Sequence, residues 1–93
     1  MNIFASLQVY AGKWSVKSTR AFDAEEINAV KSAVVVPSQY GNSVMFTMIA
    51  GGQTYIPLSN DVTIAVGESI DLAKAQLVTL SKDGESDIVR VSI

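Results

Sequence analysis

A chain of 93 residues, 48% hydrophobic and 17% charged, suffices for one folded domain, taken as residues 1–93. Its net charge of −2 exerts no general pull on nucleic acid or anionic lipid. Cysteine and histidine are both absent, which excludes disulfides, thiolate metal sites, thiol nucleophiles and any Ser-His-Asp triad; a metal site would need oxygen ligands alone.

No run approaches the ~18 apolar residues that span a bilayer. Residues 1–8 have no positive segment and no long apolar core, so no secretory signal is expected there. A reducing compartment fits the lack of cysteine. The charges are unevenly spread. Lys13, Lys17 and Arg20 come first with no acid among them, whereas Asp61, Glu68, Asp71, Asp83, Glu85 and Asp87 outweigh Lys74, Lys82 and Arg90 later.

Residues 6–20 alternate in the manner of a half-buried strand, or of two strands bent at Gly12. Trp14 and Val16 fall on one face, expected to be core. Lys13, Ser15, Lys17 and Thr19 fall on the other. Residues 23–31 are the one helical candidate. Asp23 can cap, Glu26 follows at capping-box spacing, and Ile27 and Val30 share a face. Two turns of helix are marginal alone, so the segment must pack on the sheet or be a turn.

Residues 33–36 and 44–49 read as strands paired across a turn at Tyr40-Gly41-Asn42. Val44, Phe46 and Met48 face one way; Met45, Thr47 and Ile49 face the other. With both faces mostly apolar, this strand is covered on both sides or offers one face to a partner. Met45 and Ile49 are the candidate oligomer contacts. Gly51-Gly52 forms the next turn and leads to a strand over 53–58, where Pro57 marks an edge or an end. A short strand-like run over 62–66 and a turn at Gly67-Glu68 follow. Residues 76–81 and 86–93 form a last hairpin around Asp83-Gly84.

Six to eight short strands and one helix make a mainly β fold. The best match is a small OB-like antiparallel barrel; an SH3-like barrel or a small β-sandwich fits the same pattern.

A nucleic-acid face is the first candidate site. Lys13, Lys17 and Arg20 would meet phosphates while Tyr40 and Tyr55 stack on bases, the combination single-strand binders use. The same residues also read as ordinary solvated strand surface. Gly51-Gly52 lacks the spacing and the lysine of a phosphate loop and reads as a hairpin turn. Asp83, Glu85 and Asp87 lack the spacing of a calcium loop. No pair of carboxylates suggests acid and base roles, so neither an enzyme nor a cofactor is expected.

Ser38-Gln39-Tyr40-Gly41-Asn42-Ser43-Val44, then Gly51 to Ser59, and later Val66-Gly67-Glu68 and residues 77–81, resemble small uncharacterised proteins of Bacteroidetes phages, including crAss-like phages. The resemblance implies a phage protein acting in a bacterial cytoplasm or a virion. It carries no residue roles. Two functions follow as expectations. One is a non-enzymatic module binding single-stranded nucleic acid, as a homo-oligomer. The other is a protein–protein module, either a phage structural accessory or an inhibitor of a host enzyme.

Overall fold

The structure is a computed structural model and describes residues 14–39, 41–59, 64–82 and 87–93. In chain order the elements are β1 (Ser15–Ala21), α1 (Ala24–Ala29), β2 (Val30–Ser38), β3 (Gly41–Met48), β4 (Gln53–Pro57), β5 (Gln76–Ser81) and β6 (Ile88–Ser92). They form two three-stranded antiparallel sheets, ordered β2-β3-β4 and β1-β5-β6. The expected mainly β architecture with one short helix is therefore present.

The β2-β3-β4 sheet is a meander. Val35 pairs with Val44 and Ala33 with Phe46, and Val44 pairs in turn with Ile56. The first turn is tighter than the glycine and asparagine suggested. Ser38 pairs directly with Gly41, so β3 begins at the glycine. The Ser38 hydroxyl donates to the Gly41 carbonyl at 2.7 Å. The second turn uses Gly51 and Gly52 at φ +100° and +86°, a region that residues with a Cβ enter only at a cost.

The short helix forms because both halves of its capping box are in place. Asp23 Oδ1 accepts from the Glu26 amide at 2.7 Å, and Glu26 Oε1 accepts from the Asp23 amide at 3.0 Å. Glu25 and Glu26 lie in its first turn, where the helix dipole favours negative charge. Ile27 and Val30 pack against the core, as their spacing predicts. β2 starts at Val30 with no intervening loop, three residues earlier than expected.

The core lies where the inner faces of the sheets meet. Val35, Val44, Phe46 and Ile56 come from one sheet, and Leu77, Val89 and Val91 from the other. The Phe22 and Phe46 rings stack at a tilt, with centroids 6.0 Å apart. The sheets also touch along their strands. Leu58 and Val91 form a parallel bridge, and the Ser59 amide donates to the Val91 carbonyl at 2.8 Å.

Three expectations are corrected. Val16 is 64% exposed rather than core. The register of β1 on β5 shifts between Val16 and Ser18, which breaks the alternation, and all seven β1 residues are exposed. Trp14, expected in the core, is half-buried. The described part of the 62–66 run, from Ile64, lies outside any strand. The backbone just after it docks on β2 instead. The Gly67 amide donates to Val35 O, the Val35 amide to Glu68 O, and the Ile70 amide to Ala33 O, at 2.8–2.9 Å. Gly12 and the Asp83-Gly84 turn lie outside the described residues.

Candidate functional site

Two surfaces bear the residues singled out by the sequence, and they belong to different sheets. Lys17 and Arg20 lie on β1. Tyr55 lies on β4 of the other sheet, 48% exposed, its hydroxyl donating to Gln53 Oε1 at 3.2 Å. Lys13 and Tyr40 lie outside the described residues. The described members of the basic-aromatic set thus stand on strands that are not neighbours in any ladder.

Both described cations of that set hold a carboxylate. Lys17 Nζ donates to Asp87 Oδ2 at 3.0 Å, across a separation of 70 residues. Arg20 grips Glu26 with two bonds, Nη1 to Oε1 at 2.6 Å and Nη2 to Oε2 at 3.0 Å. Its Nη1 also donates to the Ala21 carbonyl. The hydrogen bond from Arg20 holds the Glu26 carboxyl below its ordinary range against the opposing effect of burial, and the Asp23 amide adds to that lowering. The same hydrogen bond raises Arg20 above its ordinary value. Glu26 therefore serves the helix cap and the ion pair together.

The second surface is the outer face of the meander. Strand alternation puts Val44, Phe46 and Ile56 inward, so their neighbours face out. One outward row runs Val34, Met45, Tyr55 and the next runs Val36, Ser43, Pro57. A third row, Ser32, Thr47, Gln53, is polar. None of the nine side chains is charged. Val34, Val36, Met45 and Pro57 are each half-buried, and Ser43, at the centre of its row, is buried. Met45 is at the centre of the apolar patch. Ile49 is 67% exposed, but it sits in the turn after β3, where its amide donates to the Ala29 carbonyl.

The remaining sequence candidates have structural explanations where they are described. The Gly51 amide donates to the Met48 carbonyl and Gly52 O accepts from the Met48 amide, so this backbone closes a hairpin. Asp87 is engaged by Lys17, while Asp83 and Glu85 lie outside the described residues. Among the described residues no three acidic side chains cluster as a metal would need, and no helix is long and apolar enough to cross a membrane.

The chain matches no family model, and neither curated proteins nor solved structures give a match to it.

Sequence reasoning missed the two ion pairs. The Asp23 and Glu26 cap was legible from spacing, but no local signal brings Asp87 to Lys17. The strand pattern did separate Met45 from Val44 and Phe46, and so pointed to the outer face.

Proposed function

We propose that this protein is a non-enzymatic interaction module that joins a second copy of itself through the outer face of β2-β3-β4. The observation that carries this reading is the pair of rows Val34–Met45–Tyr55 and Val36–Ser43–Pro57, apolar but for the buried Ser43 and the Tyr55 hydroxyl, on the back of the core sheet. Apolar surface gathered on one sheet face is the usual mark of an interface. An isologous dimer sets a patch against its own copy, so like charges would oppose each other. Rows with no charged residue avoid that repulsion at their centre. Met45 is the central contact and Ile49 lies at the rim. The finer architecture in this reading is a small OB-like barrel, with an SH3-like barrel or a sandwich as alternatives; the Leu58–Val91 bridge favours strand continuity between the sheets.

Sedimentation velocity over a concentration series tests the reading. A dimer that forms with concentration is expected, and Met45→Asp should leave a folded monomer. A wild type that stays monomeric throughout contradicts it. In that case a virion or host protein becomes the occupant to seek, in keeping with the phage context that the sequence resemblance implies and with a cytoplasmic location.

Single-stranded nucleic acid is the second reading, favoured by the exposure of all of β1. Surface ion pairs are worth only ~0–1 kcal/mol, so phosphates can compete for Lys17 and Arg20. Anisotropy of labelled single-stranded DNA and RNA should then show salt-sensitive binding that a Lys13→Glu, Lys17→Glu variant loses. Unchanged affinity in that variant excludes the basic strand as the site.

A further inference from the structure

We propose that Arg90 anchors an oxyanion site on the outer face of the β1-β5-β6 sheet. Leu77, Val89 and Val91 point from this sheet into the core, so Val78, Leu80, Ile88, Arg90 and Ser92 face the other way. Arg90 is opposite Val78, which pairs in turn with Thr19 on β1. Ser92, two residues on, is opposite Gln76.

Three observations converge on this position. Arg90 is partly buried, and its Nε is fully enclosed with no hydrogen-bond partner. A buried donor left unpaired is unfavourable, and a guanidinium has a planar fork that suits two adjacent oxygens. Secondly, Lys17 and Arg20 hold carboxylates, whereas Arg90 takes part in no ion pair among the described residues. The positions around it on this face, Thr19, Gln76, Val78, Ile88 and Ser92, supply hydroxyls, an amide and apolar flanks but no carboxylate. Thirdly, Leu80 and Ile88 are buried on the same face yet stand apart from the main core. Arg90 therefore borders a partly desolvated patch, where a charge-assisted bond is stronger than in open water. A change of rotamer along the Arg90 side chain would bring Nε, with the Nη that lies beside it in the planar fork, out to an anion. The ligand class is an oxyanion with two adjacent oxygens, a phosphate or a carboxylate.

The chain has two arginines, which makes the test internally controlled. The Nε–H signals of Arg20 and Arg90 are followed by ¹H–¹⁵N NMR in mildly acidic buffer. Inorganic phosphate and acetate are titrated separately at constant ionic strength. The expected result is a saturating shift of the Arg90 signal while Arg20, held by Glu26, stays in place. The anion that produces the shift identifies the chemistry. In Arg90→Gln, the saturating response of the neighbouring Val78 and Thr19 amides should disappear. If Arg90 does not respond to either anion, or drifts in step with Arg20 without saturation, the proposal is overturned.

Discussion

The two sheets have the same number of strands but are assembled differently. In β2-β3-β4 each strand pairs with its neighbour in sequence. In β1-β5-β6 the first strand pairs with one that arrives some 66 residues later, as Ser15 bonding to Ser81 illustrates. Their surfaces differ as well. The meander has three uncharged rows on its outer face, two of them largely apolar. The other sheet carries Arg90 outside, and its edge strand is exposed throughout with two paired cations. The first sheet is thus built by local turn chemistry and offers a face to a partner. The second is built by closure of the chain and spends its charges mostly on itself.

The contrast between the two faces is greatest along β3, where inward and outward residues alternate. Phe46 is fully buried against Phe22 and the core. Phe46→Ala should cost about 3–5 kcal/mol in a urea unfolding experiment. Met45→Ala, one residue away, should cost well under that in the monomer and act mainly on association. Equal losses at the two positions would mean that both faces are core.

Turn chemistry gives the next effect. Gly52 is at φ +86°, and a Cβ added there would meet nothing within 4 Å. Gly52→Ala should therefore destabilise by roughly 1–2 kcal/mol through backbone strain and not through a clash. If thermal unfolding shows no change, the turn does not need that conformation.

The helix between the sheets is tested by Asp23→Ala, expected to cost about 1 kcal/mol through loss of the cap. Smaller still is Glu26→Gln. The Glu26 carboxyl is held below its ordinary value of 4.5, so its contribution is fully present above that value and is lost as pH falls through the lowered one. The wild type should lose stability in that acid range, and Glu26→Gln should lose less there while starting ~0.5–1 kcal/mol lower at neutral pH. Parallel stability–pH curves would remove the Arg20–Glu26 pair from the account.

The same contrast explains what was legible in the sequence. Gly51-Gly52, Pro57 and the alternation around Phe46 announced the meander because each turn joins consecutive strands. Asp23 and Glu26 announced the helix because a cap is a local device. Val16 misled because a register shift at Lys17 on an edge strand reverses the alternation, and edge strands need not bury either face. The docking of residues 67–70 on β2 left no periodic mark, since it rests on a few backbone bonds. The Lys17–Asp87 pair and the unpartnered Arg90 Nε depend on which strands meet across the whole chain, which no local pattern encodes.

Two methionines give the most direct test of the proposed interface. Met45 faces out of the meander, whereas Met48 packs against the core. In an equal mixture of ¹³C-labelled and unlabelled protein, isotope-filtered NOE spectra report contacts between copies. Intermolecular contacts are expected from the Met45 methyl to Val34, Val36 or Tyr55 protons, and none from Met48. Intermolecular contacts that avoid Met45, or their absence at concentrations well above those of the sedimentation series, would contradict the proposed interface.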